Sequence, residues 1–71
     1  MSDSNTAAAS EFPPSIAKPA MRALALAGIS SYGQLTAATA ADLLQLHGVG
    51  PKTIRVLRAE LDLRGLAFDG E

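Results

Sequence analysis

The sequence has 71 residues, of which 48% are hydrophobic and none is cysteine. A chain of this length forms one small domain, and the lack of cysteine excludes a disulfide framework and a thiolate metal site. Its longest apolar stretch, residues 19–29, contains Arg22 and is too short to span a membrane. The N-terminus also lacks the basic start and apolar run of a secretory signal, so we expect a cytoplasmic protein.

The formal net charge is −1, and the charges are unevenly distributed. Residues 1–11 hold two acids and no base, which leaves six basic against five acidic side chains in residues 12–71. Two of these acids, Asp69 and Glu71, lie at the C-terminus, where we expect them to be mobile. This balance permits a local contact with phosphate groups, but it excludes the broad basic surface of a strong DNA-binding protein.

Residues 1–11 are poor in large apolar side chains and are predicted to form a disordered tail, followed by a folded domain over residues 12–71. Phe12 precedes two prolines that favour an extended backbone, and we expect its ring to pack in the core. A first helix is predicted over residues 15–27, with Pro19 in its first turn and Gly28 ending it. The residues expected to face the core are Ile16, Met21, Leu24, and Ala20 or Ala27.

Local capping patterns predict the helices that follow. Ser31 and Gln34 have the spacing of a capping box, and Thr39 and Asp42 repeat it less closely ahead of a helix expected to end at Gly48. A last helix is predicted from residue 51 to about residue 64, ending at a glycine. At about 100° per residue its apolar and basic side chains lie on different faces. The apolar face holds Ile54, Leu57 and Leu61, and the basic face holds Lys52, Arg55 and Arg58.

The Gly48-Val49-Gly50 turn and the helix start after it are the most specific pattern in the chain. We expect Val49 to point inward and the glycines and first-turn N–H groups to be exposed, because such a helix start favours anions. Lys52 would add a full charge, and the Thr53 hydroxyl would add a hydrogen bond to phosphate. The alternative is a purely structural turn, since compact helical domains use such turns without binding anything.

A weaker internal repeat supports a second unit of the same kind. Residues 15–24 align with residues 48–57, thirty-three positions later, and the matches include Ile16 with Val49 and Arg22 with Arg55. Two hairpin-helix units of this length are able to pack about a pseudo-two-fold axis and bury their apolar stripes together. The repeat therefore places Lys18 and Arg22 as counterparts of the basic residues after the glycine turn.

Residues 43–57, with the core Leu-His-Gly-Val-Gly-Pro-Lys-Thr, resemble a helix-hairpin-helix motif, which many DNA repair, recombination and replication proteins use to bind the DNA backbone. Residues 16–68 are similar to the C-terminal domain of the bacterial RNA polymerase α subunit. The similar segments are Arg22-Ala23-Leu24, Ala27-Gly28-Ile29, Gln34-Leu35, Asp42-Leu43-Leu44 and Arg64-Gly65-Leu66. The resemblance implies an all-α, SAM-domain-like bundle of four or five short helices with one clear and one degenerate helix-hairpin-helix. In that family the domain binds the DNA minor groove and contacts transcription activators.

By this resemblance, the family's hairpin glycine, phosphate-contacting lysine and neighbouring serine correspond to Gly50, Lys52 and Thr53. The chain departs from the family in its first hairpin, where Pro19 replaces the arginine that enters the groove. A family polar position aligns with Arg22, which is a candidate to compensate for that arginine together with Lys18. A family acidic position that contacts regulators aligns with Val56, and the chain lacks the assembly domain of an α subunit.

No pattern indicates catalysis, a metal or a cofactor. His47 is the only histidine, and with no cysteine beside it we expect a capping or packing role. Asp42 fits a helix cap, Glu60 and Asp62 fit a solvated helix face, and no nucleophile–base pair is present. We therefore predict that the chain is not an enzyme.

These observations predict a monomeric module that binds double-stranded DNA weakly through the phosphate backbone, largely without sequence specificity. The predicted DNA-binding residues are Gly48, Gly50, Lys52, Thr53, Arg55, Arg58, Lys18 and Arg22. Two alternatives stay open: a protein–protein interaction module that kept the fold and lost DNA binding, and a detached regulatory piece of a larger assembly.

Overall fold

The computed structural model of the protein describes residues 11–71, which form four α-helices and no strand. The helices are α1 (Lys18–Leu26), α2 (Tyr32–Leu35), α3 (Ala40–Leu44) and α4 (Pro51–Leu63). The all-α class is therefore confirmed for this part of the chain. None of these helices has the length and apolar character needed to cross a membrane. The tail predicted for residues 1–11 lies outside the described residues, apart from Glu11.

Glu11 belongs to the folded domain. Its backbone N–H donates to the carbonyl of Ser30 at 3.0 Å, and its carboxylate accepts from the backbone N–H of Tyr32 at 2.9 Å. Tyr32 is the first residue of α2, so the carboxylate satisfies an N–H that the helix itself leaves without a partner. Glu11 therefore helps to hold the start of α2 in place.

Glycine ends α1, as predicted. Gly28 has φ +78°, its N–H donates to the carbonyl of Ala25 at 3.0 Å, and the N–H of Ile29 donates to the carbonyl of Leu24 at 2.8 Å. These two bonds form a Schellman motif. The same pair of bonds closes α4 at Gly65, with φ +71°. Both long helices thus end where their sequences turn from helix formers to glycine.

The two short helices begin with the predicted caps. The N–H of Gln34 donates to the Ser31 hydroxyl at 3.2 Å, and the N–H of Ser31 donates to the Gln34 side-chain oxygen at 3.0 Å, which completes a capping box. The Thr39 hydroxyl accepts from the N–H of Asp42 at 3.0 Å. However, α3 ends at Leu44 rather than near residue 48, because the chain leaves the helix for a series of tight turns.

One hydrophobic core joins all four helices. Phe12 packs edge-on against Tyr32, with ring centres 5.2 Å apart, which anchors the segment that leads into α1. Met21 is only partly buried and Ala27 is exposed, so Ala20 takes the inward position that the sequence left open. The buried apolar residues are Phe12, Ile16, Ala20, Ala23, Leu24, Tyr32, Leu35, Leu43, Val49, Ile54, Leu57, Leu61 and Phe68.

Candidate nucleic-acid interface

The turn between α3 and α4 is fixed to the core by Val49, which is 7% exposed, as the sequence predicts. The N–H of Val49 donates to the carbonyl of Leu46 at 3.1 Å. On either side, Gly48 is exposed and Gly50 is partly exposed. One buried side chain therefore holds the turn while its backbone stays accessible from outside.

The start of α4 presents unpaired backbone N–H groups. The helix begins at Pro51, and its N-cap, Gly50, has no side chain to cap it. The N–H of Ile54 donates to the carbonyl of Gly50 at 3.2 Å, whereas the N–H groups of Gly50, Lys52 and Thr53 have no acceptor among residues 11–71. Unpaired N–H groups and the positive end of the helix dipole favour an anion here.

Thr53 is placed differently from the other predicted contact residues. It is buried, with only 8% of its surface exposed. Its hydroxyl therefore offers little area to an external phosphate, while its backbone N–H still belongs to the first turn of α4. Helical periodicity accounts for this, since Thr53 lies four residues before the buried Leu57 and therefore on the same face of the helix.

The turn packs against the start of α1. Gly48 has φ +99°, and a Cβ atom built on it would lie 2.8 Å from the carbonyl oxygen of Pro19, a distance that Cβ atoms essentially never show. Glycine is thus required twice at this position, for its backbone angle and for its lack of a side chain. The contact brings Lys18 and Pro19, the first two residues of α1, next to the turn.

The segment before α1 repeats the geometry of the glycine turn. The N–H of Ile16 donates to the carbonyl of Pro13 at 3.2 Å, as the N–H of Val49 does to the carbonyl of Leu46, and both Ile16 and Val49 are buried. The internal repeat of the sequence is therefore also present in hydrogen bonding and burial. Other equivalent positions are the N-caps Ala17 and Gly50, the exposed Arg22 and Arg55, and the buried Leu24 and Leu57.

Four of the predicted basic residues are exposed, and none of them forms an ion pair within residues 11–71. Lys18 and Arg22 line a cleft of about 310 Å³ together with His47, which directly precedes the glycine turn. Lys52 and Arg55 lie three residues apart on α4, so they occupy neighbouring positions on its exposed face. The structure thus places two pairs of cations around the turn.

Arg58, the fifth predicted basic residue, is paired with an acid of the described part of the chain. Its Nε and Nη2 atoms donate to the two carboxylate oxygens of Glu71 at 3.0 and 2.6 Å, and its guanidinium lies 5.5 Å from the ring centre of Phe68. The hydrogen bonds to Glu71 raise the pKa of Arg58, and those from Arg58 lower the pKa of Glu71. The N–H of Asp69 also donates to the carbonyl of Ala38 at 2.9 Å, so the C-terminal segment is bonded to the turn that follows α2.

The acids of α4 do not neutralise Lys52. Glu60 pairs with Arg64 at 2.8 Å, and the Arg64 guanidinium lies 3.9 Å from the ring centre of Tyr32. This pair and its aromatic contact hold the end of α4 against α2. Within residues 11–71, the charge of Lys52 is therefore not neutralised by an ion pair.

Sequence reasoning missed the apolar wall of the cleft beside α1, which Ala23 and Leu26 form. No local signal identifies it, because it exists only where α1 meets the turn before α4. No three His, Asp or Glu side chains within residues 11–71 are grouped as metal ligands. Comparisons of the chain with models of protein families, with curated proteins and with solved structures find no significant match.

Proposed function

We propose that the chain is a small module that binds double-stranded DNA through its phosphate backbone, largely without reading sequence. The start of α4 carries this proposal, because the N–H groups of Gly50, Lys52 and Thr53, which have no acceptor in the described part of the chain, lie beside the Lys52 side chain, which has no ion-pair partner there. A phosphate oxygen accepts hydrogen bonds from such N–H groups, and the ammonium adds charge. Contacts of this kind position a protein on a duplex but do not distinguish bases.

The start of α1 supplies a second contact region. The contact between Gly48 and Pro19 joins the two helix starts, with Lys18 and Arg22 on one side and Arg55 on the other. Two such regions suit phosphates on both sides of one groove. The matched turns of the two units and the resemblance to the polymerase α-subunit domain support a helix-hairpin-helix arrangement. With Pro19 in place of the groove arginine, the proposed contact is to the backbone.

Weak binding to DNA is expected, because the chain offers few basic side chains to phosphate groups. Four cations without an ion pair among residues 11–71 and a net charge of −1 allow about two to four phosphates to be neutralised, so a log–log plot of affinity against salt should have a slope of about −2 to −4. This slope is shallow compared with that of strongly basic DNA-binding proteins. The module is therefore proposed to act where DNA is already held close by a partner.

A titration of fluorescently labelled duplex at several salt concentrations tests the proposal. Lys52→Gln should weaken binding and lower the salt slope by about 1, because one phosphate contact is lost. Ala37→Glu is the matched control, since it changes the net charge equally at an exposed residue between α2 and α3. No binding at low salt, or equal losses in the two variants, would contradict the proposal.

A protein–protein interaction module that kept the fold and lost DNA binding is the second candidate. The observation that favours it is the apolar part of the cleft beside α1, where Leu26 is 84% exposed. A solvent-exposed leucine in the wall of a concave surface is typical of a site that receives another apolar side chain.

A further inference from the structure

A groove runs along α1 beside the glycine turn. It consists of two adjoining depressions of about 310 and 240 Å³, which share Ala23, Leu26 and His47. We call it the α1 groove. Its lining residues that matter here are Lys18, Arg22, Ala23, Leu26, Leu46 and His47.

The two ends of the α1 groove differ in chemistry. At one end Lys18 and Arg22 are exposed and form no ion pair within residues 11–71. At the other end the walls are the exposed Leu26 and the partly buried Leu46. Ala23 lies in both depressions, and its small side chain leaves the space that a larger residue would fill. No acidic residue of the described part of the chain lines the groove.

We propose that the α1 groove binds an acidic peptide segment of a partner protein, with an apolar side chain of that segment against Leu26 and Leu46. Charge complementarity identifies this partner, because the charged lining side chains are Lys18 and Arg22, both basic. An arginine holds a carboxylate through two parallel hydrogen bonds, as Arg58 does with Glu71 in this chain. The apolar end supplies the burial that an acidic side chain alone would lack.

DNA does not account for the apolar end of the groove. Leu26, Ala27 and Leu46 offer no side-chain donor to a phosphate, and no Phe or Tyr ring of the described residues lines the groove as a platform for a base. The inference therefore goes beyond the proposed DNA contact, although both would use Lys18 and Arg22. The peptide and the duplex should consequently compete for the start of α1.

Fluorescence anisotropy with a labelled peptide tests the groove on the full chain. The probe is a peptide of about twelve residues with two leucines four positions apart among aspartates and glutamates. We expect it to bind at least about tenfold more tightly than a peptide with serines in place of the leucines, since leucine burial is lost. A peptide with lysines in place of the acids should bind still more weakly. Equal binding of the serine peptide would overturn the proposal.

Two exposed leucines provide a matched pair of variants. Leu26 and Leu63 are each the last residue of a helix that ends in a Schellman motif, and they are 84% and 79% exposed. Leu26→Ser should lower the affinity for the peptide by about tenfold. Leu63→Ser, outside the groove, should leave that affinity unchanged. Equal effects of the two variants would overturn the proposal.

The same variants separate this site from the DNA contact. Leu26→Ser should leave the affinity for duplex unchanged. Lys52→Gln should lower the affinity for duplex more than the affinity for the peptide. Peptide binding without duplex binding would retain the α1 groove and reject the proposed DNA contact. Duplex binding with no preference for the leucine peptide would reject the groove alone.

Discussion

Glu71 holds the guanidinium of Arg58 through two hydrogen bonds, of 3.0 and 2.6 Å. A carboxylate bound in this way occupies the donors that a phosphate group would otherwise use. Arg58 follows Lys52 and Arg55 along α4, so the side-chain carboxylate of Glu71 pairs with one cation of the predicted basic face. An acidic residue of the same chain thus occupies a side chain that the proposed DNA contact would otherwise use.

Removing the charge of Glu71 should strengthen DNA binding. In Glu71→Gln the Arg58 guanidinium is no longer neutralised, so we expect the affinity for duplex to rise several-fold and the salt slope to steepen by up to about 1. The measurement is the titration of labelled duplex at several salt concentrations. Asp69→Asn is the control, because it changes the net charge equally and Asp69 is tied to the fold through its backbone N–H. Equal gains in both variants would attribute the effect to overall charge.

The ion pair also makes the docking of the C-terminus depend on pH. Hydrogen bonds from Arg58 lower the pKa of Glu71 below its ordinary value. The stabilisation from this shift is fully present above the ordinary pKa of glutamate and is lost as the pH falls through the lowered pKa. An NMR titration of the Glu71 carboxylate should show the lowered pKa, and Arg58→Gln should return it to the ordinary value. The same midpoint in both proteins would show that the pair does not form in solution.

Gly48 should be the glycine least tolerant of substitution. In Gly48→Ala the left-handed backbone costs about 1–2 kcal/mol, and the clash with the carbonyl of Pro19 adds about 1–3 kcal/mol. Gly28→Ala is the control, because Gly28 has φ +78° and nothing within 4 Å of an added Cβ. Urea unfolding measures the free energy of unfolding of the two variants. A free energy of unfolding equal in the two variants would indicate that α1 moves away from the turn without cost.

The features that the sequence predicted correctly are local. The capping box at Ser31, the cap at Thr39 and the helix end at Gly28 each depend on bonds between residues close in the chain. The burial of Val49 and the exposure of Lys52 follow from turn and helix geometry. Short-range chemistry therefore determined most of the helices and the position of the glycine turn.

The features that the sequence did not predict are contacts between segments far apart in the chain. Glu11 reaches Tyr32 across 21 positions, and Arg58 reaches Glu71 across 13. No periodicity or spacing rule predicts which of several acids will meet a given donor, because the answer depends on how the helices pack. The α1 groove is a further case, since neither α1 nor the glycine turn contains it alone.

Gly50 separates a phosphate contact from a purely structural turn. Its backbone has φ −119°, and an added Cβ would meet nothing within 4 Å, so Gly50→Ala should lower the free energy of unfolding by only about 0.5–1 kcal/mol, because alanine is a poorer N-cap than glycine. The added methyl group would nevertheless stand beside the unpaired N–H groups at the start of α4, where a phosphate must approach closely. We therefore expect the variant to fold normally and to bind duplex several-fold more weakly.

The control is Gly33→Ala in α2, where the added Cβ would come no closer than 4.0 Å to the Ser31 hydroxyl, and duplex binding should not change. Wild-type affinity in Gly50→Ala would mean that the backbone at this helix start does not hold a phosphate, and DNA binding would then have to depend on side-chain charge alone.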